Sequence, residues 1–428
     1  MFTKKTIRDI DVQGKTVLLR ADYNVPVESG RIMDDYRIRQ SVPTLRYLLE
    51  KNVRLIVCSH LGRPDGKPNK DESLRPVAKR LGELLGTDKV SFTPDCIGPE
   101  AEEAAAALLP GHMLLLENLR FHAEEEKNDE GFARQLAGLA EVFVQDGFGV
   151  VHRAHASTDA ITHLLPSVAG LLLAEEVDAI TSVMENPQRP LMAVIGGAKI
   201  SDKIDLVQKF IDIADIVVIG GAMANTFLAA EGVPVGKSMV ERDALDTAKD
   251  ILARAHNKAK DGNFVFYVPQ DGVVATRIDK TAPTRIVGWG DATIADIEHY
   301  PKRPPQPASQ VQPDEMILDI GPFSAAFMAG SMQLTGTVVW NGTLGVAEAP
   351  GLQGPVGPYA HGTQLVIDGL LGQFGHRPFS LIGGGDTAAY VSQAGLEASF
   401  DHVSTGGGAS LELMADRKLP GVEALQDK

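Results

Sequence analysis

Arginines, histidines and amides cluster behind one set of apolar runs in this chain, and glycines and lysines behind another. TVLLRADYN ends in Arg20, Asp22 and Asn24, LIVCSHLGR in His60 and Arg63, LLLENLRFH in Asn118 and Arg120, and VFVQDGFGVVHRAH in His152, Arg153 and His155. With Arg37, this half offers five cationic candidates: Arg37, Arg63, Arg120, Arg153 and His60. The planar guanidinium fork matches phosphate and carboxylate alike, so four arginines at neighbouring strand ends point to a small ligand carrying both groups. Taken singly, each reads equally well as a surface arginine paired with one of the many carboxylates. His122 and His155 read as local hydrogen-bonding residues.

The second half ends its runs differently: LMAVIGGAK, IVVIGGAM, MILDIGP, TVVWNG, FSLIGGGDT and HVSTGGG. In GGGDTAAY, Gly383, Gly384 and Gly385 let backbone N–H groups approach a phosphate, and the helix that follows adds partial positive charge. A tight strand-to-helix turn is the plain reading of that motif alone, but Gly406 to Gly408 repeat it about 20 residues on. Two amide-rich turns on successive strands fit a polyphosphate and the group transferred from it. GGAKISDK sets Lys199 and Lys203 one helical turn apart, aimed at one crevice or simply solvated. Gly383, Gly385 and Ala388 also satisfy a G-x-G-x-x-A dinucleotide fingerprint, but the acidic residue it expects after the next strand is represented only by Asp401, which precedes its strand. GKS at 236–238 is no Walker motif, because residue 231 is Glu231 where glycine is required.

Residues of these kinds need a scaffold that brings strand ends together. Continuous Val/Ile/Leu runs of four to six residues separated by helical stretches predict parallel strands buried on both faces, with the ligand crevice outside their carboxyl ends. At 428 residues the chain is too long for one ordinary core, which predicts two doubly wound α/β domains. PSVAGLLLAEEVDAITSVMENP, bounded by Pro166 and Pro187, predicts one long helix joining them. The segments 300–313 and 349–362, rich in Pro and Gly, read as surface loops with no core to bury. ASLELMADRK reads as a helix closed by Pro420.

A formal net charge of −15 argues against nucleic acid or anionic membrane as the main partner. The apolar stretch Val168 to Ala174 is far short of the roughly 20 residues a membrane span needs. The amino terminus has no apolar h-region, and Cys58 and Cys96 stand in no CxxC or Cys/His sequence motif, so a cytoplasmic protein with inert thiols is expected.

Nine segments in order, RADYNVP, SHLGRPDG, LLLENLRFH, HRAHAST, GGAKISDK, MILDIGP, VVWNG, GGGDTAA and HVSTGGGASLEL, resemble the phosphoglycerate kinase family over nearly the whole chain. The resemblance implies a phosphoglycerate-binding domain over 1–170, an interdomain helix over 171–186, a nucleotide-binding domain over 187–407, and a segment 408–428 returning to the first domain. It implies reversible phosphoryl transfer between 1,3-bisphosphoglycerate and ADP, in line, with hinge closure and no general base, in glycolysis. Asp22, Asn24, Arg37, His60, Arg63, Arg120 and Arg153 would bind phosphoglycerate. Lys203, Asn341, Glu348, Gly383, Gly384, Gly385, Asp386 and Thr387 would bind nucleotide, with Mg2+ on Asp386. Arg37, Lys199, Gly385 and Gly408 would be catalytic, and the protein a monomer. Thr343 and Ala347 depart from the family's usual Pro and Phe beside the nucleoside pocket, which bears on base preference. Two alternatives remain at this level: a nicotinamide-dependent dehydrogenase, and a phosphoglycerate-binding protein with an impaired nucleotide site.

Overall fold

The computed structural model describes residues 2–260, 262–279, 281–289, 310–346 and 358–428. They form two compact units, Met1–Ser182 with Thr405–Lys428, and Val183–Ser404.

Unit 1 carries β1 (Thr16–Arg20), β2 (Val27–Glu28), β3 (Arg31–Ile32), β4 (Arg54–Cys58), β5 (Val90–Phe92), β6 (Met113–Leu115), β7 (Val142–Gln145) and β8 (Ser167–Ala169). Six of these make an all-parallel sheet in the order β5-β6-β4-β1-β7-β8, while β2 and β3 pair as a small antiparallel ribbon. Alternate residues of a strand face opposite sides. Accordingly Val17, Leu19, Leu55, Val57 and Val144 enter one core, and Leu18, Ile56, Leu114 and Phe143 the other. That is why these runs carry no polar alternation.

The helix between the two Pro residues starts later than its composition suggests. Ser167–Ala169 pair with β7 as an edge strand, and the helix spans Leu171–Glu185. The carboxyl-terminal segment is tied to unit 1 by backbone bonds from Lys5 N to Gln426 O (2.7 Å) and from Gly421 N to Val151 O (2.9 Å). Thr405 adds its N–H and its hydroxyl, both donated to Glu176 Oε1 at 2.6 Å. Thr405 to Gly407, expected within the second domain, thus lie in unit 1. Pro420, expected to close a helix, instead opens a short one, Pro420–Glu423, where its missing N–H costs nothing.

Unit 2 holds β9 (Leu191–Ile195), β10 (Ile216–Ile219), β11 (Val265–Tyr267), β12 (Asp271–Ala275), β13 (Arg285–Gly288), β14 (Met316–Ile320), β15 (Thr337–Asn341), β16 (Phe379–Gly383) and β17 (His402–Val403). Its main sheet is parallel, ordered β11-β10-β9-β15-β16-β17. MILDI, read as a further parallel strand, belongs instead to an antiparallel sheet ordered β13-β12-β14. An apolar run reports burial but not strand direction. The loop reading of 300–313 and 349–362 also needs correction where it can be followed. Val311 packs with Val274 and Val287, and Tyr359 is fully buried, donating its hydroxyl to Arg277 O and Asp279 O. Residues 300–309 and 349–357 lie outside the described residues.

Candidate functional site

Every polar group singled out in unit 1 follows the carboxyl end of a strand or the loop beside it. Arg37, in the first turn of helix Tyr36–Glu50, donates to Asn24 O (2.9 Å) and lies 3.2 Å from Asp22 Oδ2. Asn24 Oδ1 accepts from Gly62 N at 3.0 Å, fastening the loop that carries Arg63. Arg120, buried, donates to Gly62 O at 2.9 Å; its Nε is 3.1 Å from Glu126 Oε1 but not aligned for a hydrogen bond. Arg63 and Arg153 are exposed and make no ion pair with a described residue. Asn118 is scaffolding: its amide donates to Leu61 O (2.6 Å) and Glu72 O (2.9 Å).

Beneath this surface lies a buried polar network that the sequence does not announce. Arg20 Nε donates to Ser157 Oγ (2.9 Å), and Ser157 Oγ donates to Glu125 Oε1 (2.6 Å). Arg20 also lies with Nη2 3.2 Å from His60 Nδ1. Burial, with Arg20, Arg120 and Arg37 nearby, holds His60 well below its ordinary 6.5. A neutral ring facing a guanidinium accepts at Nδ1, so the proton sits on Nε2. Burial likewise brings His152 down to about 4 and His155 to about 3, aided by Arg153 and Arg20 respectively. At neutral pH the positive charge here therefore comes from arginine. Two glycines keep the cluster open: a Cβ on Gly149 would fall 2.1 Å from Asp22 Oδ2, and one on Gly408 would fall 3.1 Å from His152 Nε2.

The one described group of metal-capable side chains is Asp95, Cys96 and His122. Its members already satisfy one another, because Asp95 Oδ1 is 2.7 Å from both Cys96 N and His122 Nε2.

In unit 2, β9, β15 and β16 end side by side, with Asn341 opposite Ile195 and Gly383. Lys203 folds back over these ends and donates to Gly196 O (2.6 Å), Asn341 Oδ1 (2.7 Å) and Asn341 O (3.2 Å). Burial lowers its pKa to about 8, with Asp386 and Asp202 opposing the shift. Gly384, at φ +90°, starts helix Gly385–Gln393; a Cβ there would meet Asn341 Nδ2 at 3.1 Å. Thr387 is buried, and its hydroxyl accepts from Gly342 N at 2.6 Å. Asp386 is exposed in the helix's first turn, and Lys199 is exposed on the loop after β9. Beside them opens a cavity of about 400 Å3 lined by Ala198, Asn225, Leu344, Val346 and Asp386 among others. Thr343 lines it too, its carbonyl accepting from Gly197 N at 3.0 Å. Ala347 and Glu348 lie outside the described residues.

Asp401 decides the dinucleotide question. It accepts from Ser380 N and Oγ, both at 2.9 Å, near the amino ends of β16 and β17. Gly383 to Gly385 occupy the other end, so Asp401 cannot meet a ribose held there.

Glycine turns and Lys203 at the carboxyl ends of a parallel sheet, beside an open cavity, define an α/β protein whose crevice has the chemistry of an anion site. A family model described as phosphoglycerate kinase matches residues 7–417. Curated phosphoglycerate kinases from Moorella thermoacetica and Pelotomaculum thermopropionicum are each 45% identical, over 428 and 427 residues, with 100% of both chains covered. The solved phosphoglycerate kinase of Coxiella burnetii aligns with TM-score 0.78 at 33% identity, covering 98% of each chain. That of Pyrococcus horikoshii OT3 aligns with TM-score 0.77 at 27% identity, covering 99% of this chain and 98% of the other. The chain belongs to the phosphoglycerate kinase family. Its reaction is glycolytic phosphoryl transfer between 1,3-bisphosphoglycerate and ADP, and neither the dehydrogenase nor the impaired-site alternative is supported. Among the described residues no helix is long and apolar enough to cross a membrane.

Proposed function

We propose that the cationic cluster of unit 1 binds the phosphoglycerate and that the crevice of unit 2 binds the nucleotide. The observation that carries the first assignment is an excess of positive charge. Among the described residues, Arg37, Arg63, Arg120 and Arg153 have between them only two carboxylates within ion-pair distance, Asp22 beside Arg37 and Glu126 beside Arg120. Asp22, Asn24 and His60 complete the set, with Asp22 orienting Arg37 and Asn24 fastening Gly62. Arg63→Ala removes a guanidinium without disturbing any internal ion pair. It is expected to weaken 3-phosphoglycerate binding by about tenfold or more, as for a charge-assisted hydrogen bond, and to leave ADP binding unchanged. Calorimetric titration with each ligand measures this, and unchanged 3-phosphoglycerate affinity overturns the assignment.

In the ATP-consuming direction the attacking group is a carboxylate, ionised at neutral pH because such groups titrate near pH ~4. No residue need take a proton from it. What remains is to align the groups and to stabilise charge on the moving phosphoryl oxygens, work suited to Arg37, Lys199 and the amides of Gly385 and Gly408. Lys203 supplies a fixed charge to the nucleotide phosphates, with Gly383, Gly384 and Thr387 shaping the turn. Asn341 holds Lys203 in place. Mg2+ is usually bound through one or two carboxylates plus substrate phosphates; the exposed Asp386 at a helix start, within the electrostatic reach of Lys203, fits that donor set and would hold it, the ion neutralising nucleotide charge. Outside the described residues, Glu348 is assigned to the nucleoside by resemblance alone. We further propose a monomer acting in the cytoplasm, consistent with two free, buried cysteines.

Lys203 gives this reading a pH signature. Its ammonium is the form that attracts phosphate, and in the free enzyme it loses its proton near pH 8. The KM for ADP is expected to be flat below pH 7, bend upward near 8, and climb by up to ~10-fold per unit above that. A flat KM from pH 7 to 9.5 removes Lys203 from nucleotide binding.

A further inference from the structure

The cavity beside Gly197 and Gly221 contains one polar group with no evident employment. Asn225, in helix Met223–Ala230, lines it and is 2% exposed. Its Oδ1 is buried without a hydrogen-bond partner, and neither terminal atom of the amide bonds to a described residue. The other buried polar side chains of the lining are occupied. Asp271 accepts from Phe323 N and Ser324 N, both at 2.9 Å, and Asp319 from Ile320 N and Gly362 N, both at 2.9 Å. Most of the remaining wall is apolar, including Ala224, Leu228, Leu318, Leu344 and Val346. Such walls grip a flat ring without identifying it.

A buried amide left unbonded is costly, and native structures keep few of them unless a ligand or an ordered water completes the set. The carboxamide presents an acceptor and a donor side by side. Adenine presents the complementary pair, its 6-amino donor next to a ring-nitrogen acceptor, on either of two edges. Resting on the nucleotide assignment of this cavity, we propose that Asn225 reads the base, pairing its amide with the 6-amino group and adjacent ring nitrogen of adenine. Thr343, the departure beside the pocket, lines the same cavity and meets Gly197 through its backbone carbonyl. Asn225 makes the enzyme prefer adenine nucleotides over purines that lack the 6-amino donor.

The test compares ADP with purine riboside 5′-diphosphate, which differs only in lacking that amino group. In the unaltered enzyme the KM for the analogue should exceed that for ADP by about tenfold, the order of a bidentate amide–adenine contact. In Asn225→Leu, close in shape but unable to hydrogen-bond, the ratio should fall to near one, mainly because ADP binds more weakly. Asn225→Ala serves as the second truncation should leucine not be tolerated. A ratio near one in the unaltered enzyme, or a ratio that survives both substitutions, overturns the proposal. Ala198→Trp separates this from the reading beneath it, since Ala198 is exposed at the cavity wall and can carry bulk. If it leaves KM for both nucleotides unchanged, the cavity is not the nucleotide site. If it raises both while Asn225→Leu leaves their ratio intact, only the role of Asn225 fails.

Discussion

Lys199→Ala is expected to lower kcat by about 10²- to 10³-fold, the usual cost of removing one donor aimed at transition-state charge, while KM for either substrate changes only severalfold. The reason lies in the contrast between two lysines four residues apart, which share no helical turn as their spacing had suggested: Lys199 lies on the loop after β9 and Lys203 caps helix Ile204–Ile213. Lys203 is buried and locked by three acceptors, so its charge stands in one place and, in the proposed site, would act on bound nucleotide before any chemistry begins. Lys199 makes no hydrogen bond to a described residue, although the loop beneath it is fixed. Glu241 accepts from Ile200 N (2.6 Å), Ser201 N (3.1 Å) and Ser201 Oγ (2.6 Å), and feels the Lys199 charge. A held backbone with an unheld ammonium can follow a moving phosphoryl group and contribute little until it moves. Interactions made only in the transition state lower kcat and kcat/KM together. Arg37→Ala is also expected to lower kcat more than it raises KM, for a different reason: its guanidinium, held by Asp22 and Asn24, is proposed to meet the charge that develops on the carboxyl oxygen undergoing transfer. Steady-state kinetics on each variant measures this, and near-normal kcat in either ends its assigned role.

The parallel sheets were legible because VLL, LIVC, VFV and LMAVI are continuously apolar, as strands buried on both faces require. The edge strands Val90–Phe92 and Ser167–Ala169 were not, since an edge is short and needs no such run. Ser167–Ala169 also merge with helical sequence, and only pairing with β7 separates them. The antiparallel β12 and β13 were missed because one face of each is covered by loop residues such as Val311 and Tyr359, distant in sequence. Candidate site residues could be picked out where chemistry shows in residue type, as with the proposed Arg37, Arg63, Lys199 and the glycine turns. The site was opaque where a residue acts through a neighbour. Glu125 stands in AEEEK and looks like one of several solvated carboxylates, yet it is buried against Ser157. Asn225 lies in an apolar helix, and nothing in MANTFLAA says which of its faces meets a cavity.

Glu125 carries the largest effect on stability that we expect in unit 1. Its burial pushes its pKa up, while Arg20 and the two hydrogen bonds from Ser157 oppose that shift and favour the carboxylate. Arg20 is fully buried, and Ser157 Oγ, which accepts from Arg20 and donates to Glu125, is the link between them. Removing the carboxylate strands a guanidinium in the core. Glu125→Ala should therefore cost about 3–5 kcal/mol, the range for breaking one side of a buried pair, seen as a fall of roughly 2 M in the urea midpoint of unit 1. Removing both charges should be far milder, because two apolar side chains leave no ion unsolvated. Arg20→Met with Glu125→Leu is expected to regain most of the loss, with an interaction energy of about 2 kcal/mol or more between the two sites. Additive losses would mean that Arg20 and Glu125 are not coupled. The double variant should nonetheless bind 3-phosphoglycerate poorly, for Arg20 Nη2 is the donor facing His60 Nδ1 and fixes which ring nitrogen carries the proton. A variant that regained stability and kept full affinity would show that the buried network serves only the fold.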